Sequence, residues 1–400
     1  MVKIPISEFY ARFGNLREKM VAAGIDACLV YGDEYRKENI RYIANVWPIF
    51  ERCAVLIPSQ GEPLVLAAPE GEVMLKEMSA YSELKLIPEF VCVTVPDEIE
   101  YPQAEYTTFK KVFRSVAEHQ KLEKVGIVGI DAMPKALYEV IDNSLEGAEI
   151  IDINNIFFEM RMIKSKNEIA CMAKASEIAD LAYRELLKSA VAGVTELELA
   201  GVATGTAMRL GAEYVPFCLV SSGSRVDTII GRATNKVIED GDMVMAALAV
   251  QYEGYIASFN FPFVVGNMSP EQKQLIDWLI GAYECAVTNL KPGIIQGELP
   301  KAVSKYFHDN SVSEYDLYPP LHGSGLAEAE SPYPNASSTA VFTSNMSVNT
   351  DISLFGHPYG SNRIEVTLIT TEDGYVSYSE TFNKLIAAWK EGKKYSDVLM

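Results

Sequence analysis

Histidine is scarce in this chain: 400 residues hold four, His119, His308, His322 and His357. The six cysteines (Cys28, Cys53, Cys92, Cys171, Cys218 and Cys285) are scattered and never closely paired. That excludes a disulfide framework or thiolate zinc site as the organising feature and fits buried free thiols in a reducing compartment. Basic residues are outnumbered 54 to 35, for a formal net charge of -19. Nucleic-acid binding rests on clustered Lys and Arg, so no nucleic-acid partner is expected, and the acidity is read as solubility. No apolar run reaches the roughly 18–20 residues that a membrane span needs, which excludes a spanning helix. The first residues, MVKIPISEFYARFGNLREKM, contain no apolar leader core, so a cytoplasmic location is expected. No tandem repeat of solenoid period is present.

What is there suits two domains, because the chain is too long for one compact core. Apolar positions recur at helical spacing over residues 8–23. DACLVY then reads as a short buried strand, and RYIANVW leads into RCAVLIP. RCAVLIP and EPLVLAAP, separated by SQGEP, read as a hairpin. KVGIVGI and AEIIDI are two more buried strands around a helix at 133–144. The alternation predicts a small α/β domain. The texture changes at RMIKSKNEIACMAKASEIADLAYRELLKSA, where Ser165 and Glu168 form a capping box for a long helix. A second helix starts with Ser269 as N-cap and Pro270 at its first position, and stops at Pro292-Gly293. Between the helices, DMVMAALAVQYEGYIASFNFPFVVG predicts paired strands turning near Glu253-Gly254. A last pair, MSVNTDISLF and SNRIEVTLITTEDG, follows the loop that holds His322.

Taken in order, these landmarks resemble the pita-bread (peptidase M24-like) family of creatinase, prolidase, aminopeptidase P and methionine aminopeptidase. The resemblance rests on RMIKSKNEIACMAKASEIAD at the domain junction, GDMV…YEGY…FPFVVG, LKPGI after a helix, the LHGSGL turn and RIEVTLITTEDG. It implies a creatinase-type α/β N-terminal domain over 1–158 and an α+β pita-bread C-terminal domain over 159–400, the creatinase/aminopeptidase fold.

Peptidases of this family hold paired metal ions with an Asp, Asp, His, Glu, Glu set, because hard divalent ions favour carboxylate oxygens and a pair of ions activates a bridging water. On this resemblance Ala247 and Ser258 stand at the two aspartate positions, His322 at the histidine, and Asp351 and Glu365 at the two glutamates. With both aspartates replaced, the chain looks like the metal-free creatinase branch. Creatinase hydrolyses a C–N bond of a small guanidino acid, with a histidine relaying protons and acidic residues gripping the cationic group. The chain departs from creatinase too. Ile230, in IIGRATNKVIEDGD, stands at the creatinase histidine, Asn260 where creatinase carries a glutamate, and Ala329 at the second family histidine.

The resemblance therefore leads to a metal-independent, creatinase-like hydrolase of a C–N bond in a small polar molecule such as a guanidino acid, a cyclic amidine or a modified amino acid. No metal or other cofactor is expected. His322 would carry the proton, with Asp351 and Glu365 placing water or the cationic nitrogen. Ser258, Asn260 and Glu330 would line the pocket. Arg52, in the stretch IFERCAVL beside Phe50 and Trp47, would clamp a substrate carboxylate from the partner subunit of a homodimer. Arg225 and Arg232 are either cavity-facing or structural, and His357 has no family counterpart. One alternative is a non-catalytic pita-bread protein that binds a ligand or partner. The other is a mononuclear, Xaa-Pro dipeptidase-like metallopeptidase with His322, Asp351 and Glu365 around one ion.

Overall fold

The computed structural model describes residues 2–91, 100–393, 395 and 398; the thiol expected at Cys92 lies outside them. The chain divides into two compact units, Ile4–Arg161 and Met162–Met400, the second including Met1–Lys3. Among the described residues no helix is long and apolar enough to cross a membrane.

The first unit runs α1 (Ile6–Ala22), β1 (Ala27–Asp33), α2 (Glu38–Ala44), β2 (Arg52–Pro58), β3 (Leu64–Ala67), α3 (Glu72–Met78), β4 (Leu84–Leu86), α4 (Phe109–Ala117), β5 (Lys124–Val128), α5 (Lys135–Ser144) and β6 (Glu149–Asp152), and α6 (Asn154–Met162) leads out of it. Its sheet is ordered β4-β3-β2-β1-β5-β6. RCAVLIP and EPLVLAAP form the expected antiparallel hairpin, with Leu56 opposite Leu64. The parallel pairs β1–β5 and β5–β6 explain why DACLVY and KVGIVGI read as continuous apolar runs, since strands covered on both faces bury every side chain. Leu29, Ala54, Ile127, Phe109 and Phe113 meet in its core.

The second unit opens with α7 (Lys166–Ser189) and α8 (Glu196–Arg209), then β7 (Tyr214–Ser222), β8 (Met243–Tyr252), β9 (Tyr255–Asn260) and β10 (Phe263–Val264). It continues with α9 (Pro270–Val287), α10 (Glu298–Asp309), β11 (Leu321–His322), β12 (Ser347–His357), β13 (Gly360–Thr370), β14 (Tyr375–Ser377) and α11 (Glu380–Lys390). The sheet runs β10-β8-β9-β13-β12-β11, with β7 paired to β8 and β14 to β13. This is the expected α/β domain followed by an α+β pita-bread domain. The Ser165–Glu168 and Ser269–Gln272 capping boxes are both formed, so each long helix starts with its first amide protons satisfied. Ala179, Tyr183 and Leu186 of α7 and Leu275, Leu279 and Ala286 of α9 pack with Phe259 and Phe261 in one core. The Tyr183 ring lies 4.2 Å from that of Phe259, and its hydroxyl donates to the Phe261 carbonyl at 2.8 Å. The helices thus lock one face of the β8–β9 hairpin and leave the other for the site.

Ser165 satisfies the Glu168 amide at 3.1 Å while Glu168 accepts from the Ser165 amide at 2.8 Å. Ser165→Ala is expected to cost about 0.5–2 kcal/mol of stability, measured by chemical denaturation with α7 helicity as the signal. An unchanged midpoint would show that the box is not holding the helix start.

Candidate functional site

Strand register builds the site. His322 lies opposite Asn349, Asp351 opposite Glu365, Asn349 opposite Thr367, Glu365 opposite Asn260, and Ala249 opposite Ser258. Side chains alternate along a strand with period two. Ala247, Ser258, Asn349, Asp351, Arg363, Glu365 and Thr367 therefore share one face with His322.

A hydrogen-bonded relay crosses that face. The Ser258 amide donates to Thr367 Oγ1 at 3.0 Å, and Thr367 donates on to Asn349 Oδ1 at 3.0 Å. Asn349 Nδ2 then faces both Glu365 Oε1, at 3.0 Å, and His322 Nε2, at 3.2 Å. On the other side of the ring, His322 Nδ1 lies 2.8 Å from the Gly323 carbonyl. A carbonyl can only accept, so the proton sits on Nδ1, and the Nε2 lone pair is left to accept from Asn349 Nδ2. This is the tautomer of a metal-ligating histidine.

The loop after His322 folds back on itself. Gly323 bridges Glu330, its amide donating to the Pro332 carbonyl at 2.6 Å and its carbonyl accepting from the Glu330 amide at 2.9 Å. A Cβ on Gly323 would meet the Ser331 carbonyl oxygen at 2.4 Å, so only glycine permits this turn. The loop returns Glu328 to the sheet face. Its Oε1 lies 3.4 Å from Ser258 Oγ, which donates to it, and 3.7 Å from His322 Nε2.

Donor atoms of His322, Glu328 and Glu365 all lie within 4.8 Å of one another. Glu365 is 1 % exposed, and its Oε2 has no hydrogen-bond partner. Burial pushes its carboxyl up to about 8, with Asp351 adding to the shift. Burial also raises Glu328, opposed by His322. An orphaned, desolvated carboxylate oxygen beside an imidazole lone pair and a second carboxylate is the donor chemistry of a divalent cation. The residues fit such an ion.

The remaining expected residues fall into two groups. Asp351 is on the shared face but accepts from Tyr318 at 2.9 Å and pairs with Arg363 at 3.5 Å. Arg363 also donates to the Ile229 carbonyl at 2.9 Å. Asn260 has its amide engaged with backbone, accepting from the Ala246 amide at 3.0 Å and donating to the Arg363 carbonyl. Glu330 is buried against Lys164, so it fixes the loop. Arg225 donates to buried Glu196 and to Thr234, a structural role. Arg52 and Phe50 lie in the first unit. Arg52 donates to the Glu89 carbonyl at 3.3 Å, and Phe50 is exposed with its amide donating to Glu34 at 3.0 Å. Ile230 is 76 % exposed. Glu328 was not among the residues expected from the sequence. The one signal for it was a second acidic residue two positions before Glu330 in LHGSGLAEAESPY.

The model for metallopeptidase family M24 matches residues 170–372, and that for the creatinase/prolidase N-terminal domain matches residues 12–163. The chain belongs to metallopeptidase family M24. Among curated M24 relatives, the Xaa-Pro dipeptidase of Pyrococcus horikoshii is 29% identical over 294 residues, covering 72% of this chain and 84% of its own length. The Xaa-Pro dipeptidase of Pyrococcus furiosus is 26% identical over 304 residues, covering 75% and 85%. Among solved structures, the prolidase of Pyrococcus horikoshii superposes with a TM-score of 0.79 at 24% identity, covering 92% of this chain and 98% of that one. These findings correct the expectation of a metal-independent, creatinase-like enzyme, while the broader expectation of a hydrolase acting on C–N bonds stands. The expectation counted carboxylates only at motif positions, whereas the fold also brings Glu328 beside His322 and Glu365.

His357 belongs to a separate aromatic cluster. Its ring centroid lies 4.5 Å from Tyr315, 4.7 Å from Tyr359 and 5.2 Å from Trp278. Burial there holds its pKa below the ordinary 6.5, opposed by Glu314. Its Nδ1 accepts the Tyr359 amide proton at 3.0 Å, a bond that protonation would remove. With the folded pKa depressed, its contribution to stability is full above the unfolded value and is lost as pH falls through the folded one. An NMR titration of the His357 ring should therefore give a midpoint below 6.5. A midpoint above that value would show the cluster to favour the cation.

Proposed function

We propose that this M24 member hydrolyses the peptide C–N bond of dipeptides, Xaa-Pro dipeptides first among them, as a metal-dependent enzyme. The observation that carries the reading is the buried, unpartnered Glu365 Oε2 in a cluster with His322 and Glu328. The names of the dipeptidase relatives support the substrate class. His322, Glu365 and Glu328 would hold the ion. Such an ion acts as a Lewis acid on a carbonyl oxygen and makes a bound water acidic.

The chain's own residues do the rest. His322 keeps Nε2 aimed at the cluster through its Nδ1–H bond to Gly323. Asn349 Nδ2 donates to both His322 Nε2 and Glu365 Oε1, which spaces the two side chains, and Thr367 holds Asn349. Tyr318 donates to Oδ1 of Asp351 and Arg363 pairs with the same oxygen, which holds that carboxyl on the strand face it shares with Glu365. Ser258 offers a neutral hydroxyl where a family aspartate would stand.

Release of proline from an Xaa-Pro dipeptide, measured with added Mn²⁺ or Co²⁺, is expected to appear with the ion and to vanish with a chelator. Glu365→Gln and His322→Asn should each lower kcat/KM by at least about 100-fold, since losing even a group behind a ligand costs 10–100-fold. Turnover that ignores the chelator would overturn the metal dependence, and no turnover on any dipeptide would overturn the substrate class.

We also infer a homodimer, supported by the exposed Ile49 and Phe50 beside Trp47 in the first unit. Light scattering at micromolar concentration should give about twice the chain mass, the two-fold assembly commonest among soluble oligomers. A clean monomer would overturn it.

A further inference from the structure

The family's second aspartate position is Ser258 here, and a serine hydroxyl is a poor substitute for a carboxylate ligand. Ser258 does not face an empty gap. Its hydroxyl donates at 3.4 Å to Glu328 Oε1, from a residue 70 positions further along the chain. The same Oε1 is 3.7 Å from His322 Nε2. Two donor atoms bound to one ion at about 2.1 Å lie roughly 3–3.5 Å apart, so this pair is already close to the spacing of ligands on a shared ion.

We propose that Glu328 has taken over the ligand function of position 258, so that His322, Glu328 and Glu365 form a site for one divalent ion per chain. The inference rests on the metal-dependent reading above and adds to it the third ligand and the number of ions. A separate observation points to the ion itself: Glu365, 1 % exposed, carries an oxygen with no hydrogen-bond partner inside the cluster. Among the described residues of this face, no second buried carboxylate oxygen is left without a partner. Ala247 has no donor atom, and Asp351 is held by Arg363 and Tyr318.

Glu328 reaches the site because the loop is fixed at its other end. The Gly323–Glu330 bridge closes it, and the buried Lys164–Glu330 pair anchors it. The Ile256 amide donates to the Gly325 carbonyl at 2.7 Å, tying the loop to β9 two residues before Ser258. A ligand lost from the strand is thus replaced by one from a loop hydrogen-bonded to the same strand.

The test is metal binding by the full chain, measured by equilibrium dialysis and by the visible absorption of bound Co²⁺. Wild type should take up one ion per chain. Glu328→Gln, which keeps the volume and can still accept from Ser258, should weaken binding by about 100-fold or more, beyond the 10–100-fold lost with a group behind a ligand. Adding Ser258→Asp to that variant should restore tight binding of one ion and a Co²⁺ spectrum like that of wild type. Binding by Glu328→Gln equal to wild type would overturn the proposal. So would a loss that Ser258→Asp does not rescue, two ions in wild type, or none. One ion that depends on Glu328, without dipeptide turnover, would sink the dipeptidase reading and leave this site standing.

Discussion

Burying a carboxylate without a partner for each oxygen is among the more expensive things a fold can do, and the arrangement around Glu365 answers that cost. Its Oε1 receives the Asn349 amide, and its Oε2 receives nothing. Asp351 across the strand pair makes matters worse, and Glu328 adds a third negative group. Arg363 offsets one charge by pairing with Asp351. Three carboxyl groups against one guanidinium leave a surplus of negative charge whenever Glu365 is ionised, and burial pushes that group up to about 8, so a proton balances it unless a cation does. In a desolvated setting such a surplus is stable only with an ion or a proton to balance it.

Rigidity behind the site follows from the same constraint. A group is held against repulsion only if its surroundings give it no easier place to go. The hydrogen bonds from the Ser258 amide through Thr367 to Asn349 fix the strand face from β9 to β12. The Lys164–Glu330 pair does the same for the loop, with both side chains buried. Buried ion pairs add little net stability against an apolar alternative, but breaking one leaves a bare charge. Glu330, expected as a pocket residue, is better understood as the loop's anchor.

Much of this fold can be read from the sequence because its local signals agree with its tertiary needs. The capping boxes at Ser165 and Ser269, the hairpin near Glu253-Gly254 and the β12–β13 pair all appear where the pattern puts them. At that hairpin both turn residues adopt positive φ, 49° and 86°, as a tight two-residue turn requires. Strand β7 carries no such agreement. Pro216 interrupts it, its first half is only partly buried, and its register shifts between Tyr214 and Phe217. Of the site, His322, Glu365 and Asp351 follow from motif positions. Glu328 does not, because its value lies in a contact with Ser258, and a motif compares positions along the chain rather than across the cavity.

That difference separates the motif count from the cavity. Losing the carboxylates at Ala247 and Ser258 removes ligands from one strand, and on a linear count too few remain. The cavity responds to charge and distance, not to sequence position. At the Ser258 side the loop presents the carboxyl of Glu328. Ala247 has no donor atom, and Arg363 draws Asp351 into its own pair. The two sides of the face therefore differ: at one Glu328 accepts from Ser258, and at the other Asp351 is paired with Arg363. Asn349 sits between His322 and Glu365 and donates to both. It holds those two donors at a fixed spacing, while Glu365 Oε2, on the other side of the carboxylate, remains the oxygen free to bind an ion.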